Sequence, residues 1–105
     1  MEIERAIRER LVLELRYHED SEPEEPGTRL VEPYVLYSDH RGRQMLRVWQ
    51  VDGFSIRGNL PDWRTFHTDS LSEVEVLRTH FIPRPDRQAM LQGLDMAATI
   101  ASIET

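Results

Sequence analysis

The chain has 105 residues, 39% of them hydrophobic and 30% charged, with a formal net charge of −6 at pH 7. That length supports one modest core, the apolar content is ordinary for a globular protein, and a negative total excludes indiscriminate binding to phosphate backbones, which a basic surface drives. The absence of cysteine excludes disulfides, thiol catalysis and thiolate metal sites, and His18, His40, His67 and His80 are scattered without helical ligand spacing, so neither a metal nor a cofactor is expected.

No apolar run approaches the roughly 18 residues that would span a membrane, and MEIERAIRER lacks the apolar centre of a signal peptide, so the expected location is the cytoplasm. All 13 basic residues are arginine. A guanidinium fork suits phosphate or carboxylate, but codon bias in a GC-rich genome would give the same composition. Only the clustering of particular arginines is therefore informative.

In chain order, Ile3, Ala6 and Ile7, with Arg10 following on the same side, mark a short helix whose Glu2 and Glu4 sit near its positive end. Leu11, Leu13, Leu15 and Tyr17 then alternate with Val12, Glu14 and Arg16, the period of a half-buried strand. HEDSEPEEPG, from His18 to Gly27, holds much of the acidity and reads as a solvated loop, with a phosphate-repelling gate as its functional alternative. Arg29 to Tyr37 is a strand, Ser38-Asp39-His40-Arg41-Gly42 a turn, and Gln44 to Val51 the returning strand. Pro33 has no N–H for a ladder, so this hairpin is bulged there or lies on an edge.

Val51-Asp52-Gly53-Phe54 signals a second turn, pairing Gln44 to Val51 with Phe54 to Arg57. Trp63 to His67 is a short extended piece, and Val74 and Val76 alternate against Glu73 and Glu75 in the next strand. Pro83 and Pro85 end it; Pro85 suits a first helical position with Asp86 beside it. Met90, Leu91, Leu94, Ala97, Ala98 and Ala101 then follow helical spacing, weakened at Gly93. The fold class expected is mainly β, a small antiparallel barrel of about five strands with a short N-terminal helix and a C-terminal helix. Residues 1–82 form the barrel and residues 83–105 an appended helix. The core should hold Ile7, Leu13, Leu15, Leu30, Leu46, Val48, Val74 and Val76.

In their order, ERAIRERLVLELRY, TRLVEPYVL, QMLRVWQV and WRTFHTDSLSEVEVLRTHF resemble the WYL domain family, the Sm-like or SH3-like barrels found behind DNA-binding helix-turn-helix domains in bacterial regulators. The resemblance runs from about Ile3 to Phe81. It implies a sensor that takes a nucleotide-like ligand or single-stranded nucleic acid in a basic pocket. By position the implied ligand-binding residues are Arg29, Arg47 and Arg64 for phosphate, Tyr34 or Trp49 for stacking on a base, and His67 as a further donor. The tripeptide that names the family falls here on Gln44-Met45-Leu46, and two family arginines fall on His67 and Ser70.

Two functions follow. One is a stand-alone regulatory module that binds a phosphorylated small ligand or single-stranded nucleic acid and signals to a partner regulator protein. The other is an interaction module with a degenerate site, self-associating as a homodimer through Met90, Leu91, Leu94 and Ala98. Convergence of Arg29, Arg47 and Arg64 on one patch would favour the first; divergence, or pairing with Glu32, Asp62 or Asp69, the second. No enzyme is expected: there is no glycine-rich phosphate loop, and Ser70 beside His67 and Asp69 is adjacency, not a triad.

Overall fold

The computed structural model describes residues 2–18, 28–53 and 61–103. Helix α1 (Glu2–Glu9) leads into strands β1 (Leu11–Tyr17), β2 (Thr28–Ser38), β3 (Gln44–Gly53), β4 (Asp62–His67) and β5 (Leu71–His80), with a 3-10 turn at Thr68–Ser70. A short helix α2 (Arg87–Leu91) and strand β6 (Ala98–Ser102) follow. All pairings are antiparallel, in the order β4-β3-β2-β1-β5, with β6 added to β2 off that path. The class is thus mainly β with a helix near each end. The sheet is not closed: among the described residues β4 and β5 remain its two ends.

Local chemistry accounts for most of these elements. Helix α1 buries Ile3, Ala6 and Ile7. It stops at Arg10, whose φ of +58° few side chains adopt and which is exposed rather than sharing the apolar side. In β1 the buried row is Leu11, Leu13, Leu15 and Tyr17, as alternation requires, and Val12 is buried as well. The β2–β3 turn is built on Asp39. Its Oδ1 accepts from the backbone N–H groups of Arg41 and Arg43, both at 2.9 Å, and its Oδ2 accepts from Arg43 Nε at 2.7 Å. Gly42, at φ +80°, supplies the left-handed residue that the turn needs.

Strand β2 is the hub. Its first part pairs with β1 at Thr28 to Val31 and its last part with β6 at Val35 to Ser38, while β3 runs along its other side. Pro33 falls between the β1 and β6 pairings, where a missing N–H costs no ladder bond, and the β3 register shifts between Pro33 and Val35. The proline is therefore bulged, not on an edge. At the far end of β3, a Cβ on Gly53 would lie 2.3 Å from the Thr28 carbonyl oxygen, so only glycine lets the strands approach there.

Of the expected core, Ile7, Leu13, Leu15, Leu46 and Val48 are buried, and Leu30, Val74 and Val76 pack partly buried against it. The acidic segment after His18 and the expected strand Phe54 to Arg57 fall outside the described residues.

The tail departs from the expected long helix. α2 spans only Arg87–Leu91, Gly93 turns at φ +79°, and Ala98–Ser102 is a strand on the free edge of β2. The helical spacing from Met90 to Ala101 therefore divides: Met90 and Leu91 lie in α2, Leu94 in the connection, and Ala98 and Ala101 in β6. Left-handed glycine ends a helix. Beyond it, β-branched Thr99 and Ile100 suit the vacant ladder of β2, which takes up backbone groups on the side of β6 that faces it. The segment after Pro83 is thus part of the same sheet rather than a helix appended to it, and Ala101 and Ile103 complete the core.

Candidate ligand-binding face

Cross-strand register sorts the candidate residues. Leu46, Val48 and Gln50 of β3 face Phe66, Arg64 and Asp62 of β4, so Arg64 shares the inner face with the core. The intervening residues, Arg47 opposite Thr65 and Trp49 opposite Trp63, belong to the outer face. Arg29 lies on the inner side, with its guanidinium carbon 5.3 Å from the Tyr17 ring centroid and 5.4 Å from that of Phe66.

The inner pair is enclosed by its surroundings. Arg29 is 3% exposed and donates from Nη1 to Gln50 Oε1 at 3.4 Å; Gln50 is fully buried and donates to the Asp52 carbonyl. Arg64, 8% exposed, donates from Nη1 to Asp62 Oδ2 at 2.6 Å and to the Trp63 carbonyl at 3.1 Å. That hydrogen bond from Arg64, helped by the Trp63 N–H, holds the Asp62 carboxyl below its ordinary range.

The outer face is aromatic, and of its rings Trp49 is half-buried while Tyr34 and Trp63 are buried and count among the core. Trp49 and Trp63 meet edge to face with centroids 5.3 Å apart, and Tyr34, which occupies the bulge after Pro33, meets Trp63 in the same manner at 4.8 Å. Phe81 closes the far side of Tyr34 at 5.5 Å. Arg47 is half-buried beside them: Nη1 donates to Thr65 Oγ1 at 2.8 Å, the guanidinium carbon is 5.6 Å from the Trp63 centroid, and Nε is buried without an acceptor. Desolvation lowers the Arg47 pKa, against the pull of Tyr37 and Asp62. His67 ends the same row of β4, opposite Met45.

One segment from beyond the sheet lies on these rings. Arg84 stands with its guanidinium carbon 3.9 Å from the Trp49 centroid, and its backbone N–H donates to the Tyr34 hydroxyl at 3.0 Å. Trp63 Nε1 donates to Asp86 Oδ2 at 3.3 Å. The Tyr34 hydroxyl in turn donates to Glu32 Oε1 at 3.1 Å. Burial pushes the Tyr34 phenol upward, and desolvation likewise raises Glu32, opposed by the Tyr34 hydrogen bond and the Arg84 charge.

The structure thus brings Tyr34, Arg47 and Trp49 together, with His67 at the end of their row, and sets Arg29 and Arg64 on the other side of the strands. Sequence reasoning missed Trp63, Gln50, Arg84 and Asp86. Trp63 was legible in principle, since a tryptophan one residue before Arg64 must face opposite to it. Arg84 and Asp86 carried no local signal, because their role comes from a contact with strands far away in the chain.

The family model of the WYL domain matches residues 1–76, which takes in α1, β1 to β4 and much of β5. Arg84, Asp86 and β6 lie beyond the matched residues. No curated protein matches the chain.

Proposed function

Because the chain belongs to the WYL domain family, whose members are regulatory or ligand-sensing modules, we propose that it senses a nucleotide-like ligand, a planar base bearing phosphate, on the outer face of β2 to β4. The observation that carries this reading is the joining of Trp49, Trp63 and Tyr34 with the half-buried Arg47 in one patch. Indole faces stack on bases whatever their identity, and a half-buried guanidinium beside them favours an anionic oxygen. Free nucleotides and short single strands share this chemistry. Calorimetric titration at low salt against nucleoside monophosphates and a short oligothymidylate tests it. Binding should weaken as salt rises and weaken further in Arg47→Ala; absence of heat across both ligand types overturns the reading.

A second reading is favoured by the divergence of Arg29 and Arg64 from Arg47 across the two faces, the outcome set against the sensor, and by the tail. Ile82, Met90 and Ile100 are exposed, at 89%, 37% and 38%, and Arg64 is engaged by Asp62, as expected of an interaction module. Here the tail would bind a partner regulator or a second copy. Sedimentation of the full chain over a concentration series decides it: a strict monomer removes self-association.

A further inference from the structure

We propose that residues 81–87 are an internal competitor for the outer face, a strap that imitates the ligand and must leave before the ligand can bind; this rests on the reading of that face as the ligand site. Three contacts hold the middle of the strap, and all three are made to the aromatic groups of the site. Arg84 lays a flat cation 3.9 Å from the Trp49 centroid, where a base would stack. Asp86 brings an anionic oxygen to the Trp63 indole N–H at 3.3 Å, as a phosphate would. The Arg84 backbone N–H donates to the Tyr34 hydroxyl oxygen at 3.0 Å. A planar group joined to an anion is the combination that a nucleotide carries.

The strap is also built to be released. Its anchors flank it, Phe81 at its start in the core and Leu91 at the far end of α2 packed against that core, and Ile82 beside the first anchor is 89% exposed. Between the anchors the side chains of Arg84 and Asp86 keep 39% and 44% of their exposure. Arg84 Nε is buried without a hydrogen-bond acceptor, the nearest carboxylate oxygen, Asp86 Oδ1, lying 3.5 Å away, so closure leaves a donor unsatisfied that water would satisfy on opening. Pro83 and Pro85 restrict the backbone between, which favours lifting as a unit over gradual fraying.

The test uses the full chain and its two tryptophans, Trp49 and Trp63. In Arg84→Ala, acrylamide should quench indole fluorescence more strongly with no ligand present. Oligothymidylate and adenosine monophosphate should then bind between about two- and thirty-fold tighter than to the native chain, the range a lost cation–π contact allows. Asp86→Ala, which loosens the strap while keeping Arg84, should act in the same direction and guards against a folding defect in the first variant. Weaker binding in Arg84→Ala makes Arg84 a ligand contact and overturns the strap while leaving the ligand site standing. Unchanged quenching and affinity in both variants overturn the strap alone. If the native chain and both variants bind neither probe, the ligand site fails and the competition fails with it.

Discussion

Arg29 and Arg64 on the inner face of the sheet, and Arg47 and Arg84 on the outer face, are the same chemical group handled in two ways. On the inner face the guanidinium groups are almost fully buried and meet oxygen acceptors, Gln50 Oε1 for Arg29 and Asp62 Oδ2 for Arg64. On the outer face they are partly exposed, and each lies near an indole, Trp63 for Arg47 and Trp49 for Arg84. A hydrogen bond to a charged group contributes about 1.5–3 kcal/mol. A cation over an aromatic ring contributes about 0.5–2 kcal/mol, which a stacked base at about 1–3 kcal/mol can match. Inner arginines therefore serve the fold, and outer ones are exchangeable.

The largest effect that would break this contrast belongs to Arg29. Arg29→Ala removes a side chain packed between Tyr17 and Phe66 and leaves Gln50 short of a donor, so urea denaturation should show a loss of about 3 kcal/mol. A loss below about 1 kcal/mol would put Arg29 in the exchangeable class. Next, Trp49→Ala should cost at least about ten-fold in oligothymidylate affinity in calorimetry, with the fold retained by circular dichroism, because the half-buried indole serves the ligand more than the core. Arg64→Ala should lose about 1–2 kcal/mol in the same denaturation assay by emptying a buried position and leaving the Trp63 carbonyl without the Arg64 donor. Arg47→Ala, by contrast, should shift the urea midpoint by less than about 1 kcal/mol of stability.

The smallest effects are those of pH, and the two faces should show opposite signs. Asp62 has a lowered carboxyl pKa in the folded chain, so its contribution is present above the ordinary carboxylate value and is lost as pH falls through the folded one. Glu32 has a raised pKa, so its contribution is full below the ordinary value and is lost as pH rises through the folded one. Across the acid range, native stability measured against Asp62→Asn should rise with pH, and measured against Glu32→Gln it should fall. Parallel slopes would show that the faces do not differ electrostatically.

Much of the sheet was legible because its signals are local. The period of two in Leu11 to Tyr17, the Asp39 turn and the alternation of Leu46 and Val48 with Arg47 and Trp49 each fix side-chain direction within a few residues. The tail was not legible, because Ala98–Ser102 becomes a strand only where β2 offers it an edge, and a helical spacing of alanines in the sequence carries no trace of that edge. Two of the three candidate arginines were misplaced for a related reason. Arg64 stands two residues before Phe66 and so must share its face, but that parity places a residue only once the register with β3 is known.

Pro33 also bears on the timing of assembly. By leaving a break in the ladder between the β1 and β6 pairings, it limits how far β1 can zip along β2, and the stretch from Val35 to Ser38 stays open for a strand from the other end of the chain. During synthesis the hairpin of β2 and β3 can form as soon as Asp39 makes its turn, whereas β6 leaves the ribosome long afterwards. For that interval the nascent protein carries a bare, apolar strand edge able to pair with a neighbour's. Late capture of β6 both completes the core through Ala101 and Ile103 and withdraws the adhesive edge, so truncation before Ala98 should be punished first as aggregation during expression.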